Sequence, residues 1–158
     1  MTVVVDASVA CKWLIEEEGS TAAAALLAVR EALVAPDLIV AEVASVLWRK
    51  ATAGAISPAH AASAVVELPG QFDELVPASA LARRALTIAL ALGHPAYDCL
   101  YLALAEARGA HLVTADERLV ARLHGTEWET LALPPARAAA RWRAGPRYPG
   151  SRLPGRAR

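Results

Sequence analysis

Four acids stand where a folded chain calls for apolar residues. Asp6 closes the run TVVVD, and Asp116 closes AHLVTAD. Glu42 interrupts LIVAEVASVLW, where residues three and four away are Leu38, Ile39, Ser45 and Val46. Asp98 lies in the opening turn of AYDCLYLALA. A carboxylate in such company is paired or bound, because burying a lone charge costs too much. Each acid has a plainer reading when taken alone. Asp6 and Asp116 suit helix N-caps, Asp98 suits the positive end of a helix dipole, and Glu42 could reach solvent or an arginine. Taken together they point to a cluster, because in a parallel sheet the strand ends and the following helix starts converge on one edge. Two carboxylates about 4 Å apart repel by about 4 kcal/mol at an effective dielectric of about 20, so the group must hold protons or a cation. Oxygen donors without His or Cys select Mg²⁺ or Mn²⁺ over zinc. Such ions bind phosphate oxygens and activate water for in-line displacement, which makes a phosphodiester the natural substrate.

The elements needed to gather these acids are legible. TVVVD has no polar alternation, as expected of a strand covered on both faces. A first helix follows, SVACKWLIEEE, capped by Ser8, and Ser20 caps a second from Thr21 to Leu33. Val34 to Leu38, with Pro36 inside, allows a short strand. LIVAEVASVLWRKATAG reads as a helix with Gly54 at its end and Arg49 and Lys50 complementing its dipole. Ser57-Pro58 opens a helix to about Leu68, and Glu74 to Pro77 is a short strand. Two helices end at Gly93 and Gly109, and Asp116 is placed to cap another, Glu117 to His124. Thr130 to Leu133 is the last expected strand, and Arg137 to Arg143 allows a helical turn or two. Strands alternating with helices predict an α/β/α three-layer fold around a mainly parallel sheet of four to five short strands.

The chain has 158 residues, 56% hydrophobic and 20% charged, which suits one folded domain rather than a disordered chain. No apolar run approaches the ~20 residues of a membrane span, and no basic segment precedes an apolar one, so neither membrane nor secretory leader is expected. Cys11 and Cys99 have no CxxC or Cys/His partner, which predicts two reduced, packed thiols and agrees with a cytoplasmic setting. The zero net charge conceals an asymmetry. Sixteen acids against nine basic residues leave −7 over residues 1–133, and seven arginines with no acid leave +7 over residues 134–158. We expect a folded domain over 1–133 and an Arg/Pro-rich tail over 134–158, loosely ordered.

The motifs VVVDAS, VAEVASVLWR, YDCLYLALAEARG and LVTADERL, in this order, resemble the PIN domain, most closely the VapC-type toxin ribonucleases. The likeness runs from Thr2 to about Leu133. It implies a Mg²⁺- or Mn²⁺-dependent endoribonuclease in which Asp6 and Asp98 are the main metal ligands and Asp116 a direct or water-mediated one. Glu42 would orient or deprotonate the attacking water, and Ser8 and Thr114 match small polar positions beside the site. The resemblance also implies an RNA substrate, a cognate antitoxin and a homodimer. A nuclease of RNA processing, or a catalytically silent interaction module on the same fold, are the alternatives.

Other features are weighed against this reading. A phosphoacceptor receiver domain needs a lysine after a late strand, but Lys12 and Lys50 are both early. A haloacid-type phosphatase needs an aspartate two residues after the first, where Ser8 stands. Candidate phosphate contacts are Lys12, Arg83, Arg84, Arg108, Arg118, Arg122 and the tail arginines. His94 is expected as a capping side chain, and Trp13, Trp48 and Tyr101 as core.

Overall fold

The structure, a computed structural model, describes residues 1–142. Of the loosely ordered tail expected over 134–158, residues 143–158 lie outside the described residues. Five strands form one sheet: β1 (Thr2–Val5), β2 (Ala32–Pro36), β3 (Glu74–Val76), β4 (His111–Val113) and β5 (Ala132–Leu133). Their order is β3-β2-β1-β4-β5, and every pairing is parallel. The apolar run at the amino terminus therefore becomes the central strand. Val4 faces one core and Val3 and Val5 the other, so both faces of β1 are covered.

Among the described residues eight helices make the outer layers: α1 (Ala7–Leu14), α2 (Ser20–Ala25), α3 (Leu38–Thr52), α4 (Pro58–Glu67), α5 (Ala78–Leu92), α6 (Ala96–Arg108), α7 (Glu117–Leu123) and α8 (Pro135–Arg141). Helices α3 to α7 bury residues in the larger core, and α2 and α8 in the smaller. The three-layer arrangement is the one expected. Helix α6 is its spine, because Cys99 to Ala105 are all buried. Burial pushes the Cys11 thiol up to about 12 and the Cys99 thiol up to about 11, so both stay protonated and packed at neutral pH.

Several local expectations are corrected. The helix expected over Thr21 to Leu33 stops at Ala25, continues as one 3₁₀ turn (Leu26–Ala28) and gives way to β2 at Ala32. The pairing of Thr2 with Ala32 and Val3 with Leu33 supplies ladder bonds that outweigh the local alanine-rich propensity. Ser8 and Ser20 are not caps. Gly19 holds the N-cap of α2 with φ of 84°, and the Ser20 hydroxyl accepts from Glu17 N–H and donates to the Ile15 carbonyl. Ser57 caps α4 as expected, accepting from His60 N–H at 3.0 Å. Trp48 is not core: it is 66% exposed. Helix α8 supplies the helical turn or two expected near Arg137, and Ala138 and Trp142 are buried in the smaller core.

Candidate active site

Strands β1, β2 and β3 step away on one side of the sheet, and β4 and β5 on the other. The reversal falls between β1 and β4, the point at which open α/β sheets leave a crevice beyond their carboxyl ends. Asp6 follows β1 there, and Thr114, Ala115 and Asp116 follow β4; Asp6 N–H donates to the Val113 carbonyl at 3.0 Å, joining the two ends. Helix α3 brings Glu42 and α6 brings Asp98 to the same edge. A cleft of about 360 Å³ is lined by Asp6, Ser8, Glu42 and Ser45, together with Arg49, Asp98 and Asp116. The tertiary structure therefore gathers all four acids. A larger and more apolar groove, about 580 Å³, adjoins it and shares Asp116.

Asp6 occupies the N-cap position of α1 but makes no capping bond. Its Oδ2 instead accepts from Ser8 Oγ at 2.5 Å and Thr114 Oγ1 at 2.7 Å. Those hydroxyls also receive backbone N–H groups, Ala115 on Ser8 and Asp116 on Thr114. The two small polar residues thus clamp the loop after β4 onto the first acid. Burial pushes the Asp6 carboxyl above its ordinary value, with the charge of Asp98 adding and the two hydroxyl bonds opposing. Thr114 is fully buried. Thr114→Val keeps the shape but strips a partner from both Asp6 and the Asp116 N–H. We expect a loss of about 2 kcal/mol in urea unfolding, with Thr114→Ser close to wild type; equal stability of the valine variant would refute the clamp.

Glu42 accepts from the Tyr101 hydroxyl through Oε2. Burial raises its carboxyl too, the Tyr101 bond opposing and Asp6 and Asp98 adding. Asp116 caps α7, Oδ1 accepting from Arg118 and Leu119 N–H at 2.8 and 3.1 Å. Asp98 Oδ2 lies 2.7 Å from His94 Nε2, in a contact poorly aligned for a hydrogen bond; His94 thus serves an acid rather than the helix end expected of it. Glu42, Asp98 and Asp116 therefore each engage one oxygen and leave the other without a hydrogen bond among the described residues. Those free oxygens are donors of the hard, anionic kind that Mg²⁺ or Mn²⁺ takes. Among the described residues no three of these side chains already converge on a point. That spread suits an ion that keeps several waters and takes one or two carboxylates directly.

Sequence reasoning missed one residue that lines the cleft and one that supports it from behind. Arg49, read as a helix-end charge, is the one cation lining it among the described residues. Tyr101, read as core, is buried as expected yet spends its hydroxyl on Glu42. Of the cations proposed for phosphate, three are already engaged. Lys12 holds Glu17 and the Glu18 carbonyl, Arg84 holds Glu106 with two bonds, and Arg108 holds Glu74.

The family model of the PIN domain matches residues 3–123. This chain belongs to the PIN domain family. Within it the likeness is to the VapC type: the chain is 35% identical over 121 residues to Ribonuclease VapC3 of Pyrobaculum aerophilum, covering 75% of this chain and 92% of that one. The crystal structure of PAE2754 from Pyrobaculum aerophilum superposes with a TM-score of 0.68 at 25% identity, over 89% of this chain and 88% of that one. The match to the family model spans all four acids of this PIN domain, from Asp6 after β1 to Asp116 before α7.

Proposed function

We propose that this PIN domain is a metal-dependent endoribonuclease and the toxin of a toxin–antitoxin pair. The observation that carries the reading is the cleft itself: four carboxylates from four separate segments, with the Arg49 guanidinium beside them. Asp6 and Asp98 would hold a Mg²⁺ or Mn²⁺ ion, with Asp116 bound directly or through water. When bound, that ion supplies positive charge to the phosphate and to the departing oxygen.

The protein's own groups do the rest. Ser8 and Thr114 hold Asp6 in one orientation. Glu42, steadied by Tyr101 and made more basic by burial, orients the attacking water and takes its proton. The name of Ribonuclease VapC3 supports RNA as the substrate class here. A cognate antitoxin, a homodimer and a cytoplasmic location belong to the same reading. Among the described residues no single helix is long and apolar enough to cross a membrane.

Incubation of the purified chain with mixed cellular RNA tests the activity. Cleavage is expected with Mg²⁺ or Mn²⁺, and its loss on chelation is expected to reverse when the ion returns. RNA left intact with either ion would remove the enzymatic part of the proposal. Growth arrest on expression of the chain, absent from an Asp6→Asn variant, tests the toxin part.

A further inference from the structure

Helix α3 turns one face to the acid cleft. Glu42, Ser45, Val46 and Arg49 follow at steps of three and four residues, and all four line it. Three of them have an evident occupation. Glu42 accepts from Tyr101, Ser45 Oγ donates to the Ala41 carbonyl at 3.0 Å, and Val46 packs against the larger core. Arg49 has none. Four carboxylates line the same cleft, yet the exposed Arg49 makes no ion pair among the described residues. Arg84 and Arg108 show the contrast, each being spent on a glutamate outside the cleft. Arg49 lies seven residues beyond Glu42, which is two helical turns or about 10 Å along the axis. Helix side chains lean toward the amino end, so its guanidinium is carried back toward the acids rather than away from them.

We infer that Arg49 binds the substrate phosphate next to the one that is cut. The inference rests on the ribonuclease reading and deepens it, adding a backbone subsite to the reaction centre. Four carboxylates repel a polyanion. A bound ion offsets that repulsion at the phosphate it touches, but the neighbouring phosphate still faces an acidic wall. A guanidinium is always charged and meets a phosphate with two parallel N–H donors. Two turns of helix keep Arg49 clear of the water that Glu42 orients and of the bond that breaks. A contact at that remove is equally strong before and during the reaction, so it governs KM rather than kcat. Arg49 is therefore a substrate-binding residue.

The test uses the full chain with Mg²⁺ and an oligoribonucleotide whose cut site has been mapped. Arg49→Ala is expected to raise KM about tenfold and to hold kcat within about twofold. Arg49→Lys, which keeps the charge and loses the fork, should recover part of the loss. The slope of log(kcat/KM) against log salt should shrink by about 0.7 in Arg49→Ala, the share of one phosphate contact. An uncharged methylphosphonate beside the cut, set on a 2′-O-methyl ribose to keep the linkage intact, is compared with the same ribose carrying an ordinary phosphate. On one side of the cut it should raise the wild-type KM about tenfold and add little in Arg49→Ala. Melting without RNA gives a second readout: the gain in Tm on adding Mg²⁺ should be no smaller in Arg49→Ala than in wild type. A smaller gain would make Arg49 a support of the metal site and overturn the inference. A hundredfold fall in kcat at unchanged KM would place Arg49 on the cut phosphate, which also overturns it. So does a wild-type KM and salt slope in Arg49→Ala, or a methylphosphonate effect that persists in full in that variant. Each of these leaves the nuclease reading standing, whereas a wild type that cleaves no RNA overturns both.

Discussion

Asp6→Asn should abolish RNA cleavage, by about a thousandfold or more, and yet leave the metal-free protein more stable than wild type. The two effects share one cause. Asp6 sits at the carboxyl end of the central strand, where burial raises its carboxyl above the ordinary value. A folded value above the unfolded one means that the native state binds the proton more tightly. Stability then falls as pH rises from below the unfolded value of 3.8 through the folded one. An amide keeps the size and an acceptor for Ser8 and Thr114 but carries no charge. The expected gain in chelator is about 1 kcal/mol, or about 3 °C in Tm for a chain of this length. It should vanish in acid, where wild-type Asp6 is protonated. Mg²⁺ should reverse the order, since an ion that binds only the folded state adds about 2.7 kcal/mol at a hundred times its Kd. The variant should lack that gain. Calorimetry at pH 7 and in acid, with and without Mg²⁺, separates the cases. An amide variant that melts below wild type in chelator would mean that the bonds from Ser8 and Thr114 outweigh the burial of charge.

The largest loss of stability should come from Leu102→Ala. Leu102 is fully buried at the middle of α6, which packs against α5 on one side and β1, β2 and β4 on the other. Neighbours held by three strands and a second helix cannot collapse into the vacated space. The cost combines lost apolar transfer with an unfilled cavity, about 3 kcal/mol, and should lower Tm by about 10 °C. In urea the midpoint should fall while the slope is unchanged. Leu90→Ala on α5 is the comparison, because Leu90 is 77% exposed and should change stability by no more than about 0.5 kcal/mol. Equal effects at the two positions would contradict the layer assignment.

How much of this was legible in the chain varies by kind of signal. The unalternating valines of β1, the caps at Ser57 and Asp116, and the glycines at 93 and 109 act over a few residues, and each is found where expected. The candidate acids were legible for a related reason: a carboxylate in an apolar run conflicts with its surroundings, and that conflict is written locally. Less was readable where long-range pairing competes with propensity. The segment before β2 looks helical by composition, but a strand beside β1 satisfies more backbone. Trp48 and Arg49 belong to an apolar, strongly helical stretch, and nothing local says which side of α3 is covered.

Local patterns were enough for the alternation of strand and helix, for the parallel sheet and for the choice of four candidate acids, because those depend on contacts within a turn or a strand. Packing of the whole chain was needed to show that β1 and β4 meet at the reversal of strand order, that Ser8 and Thr114 close on Asp6, and that Tyr101 reaches Glu42. Those contacts join residues 59 to 108 positions apart, apart from Ser8 on Asp6. No local pattern encodes a partner that distant; it is chosen when the core packs and the layers fix their relative positions.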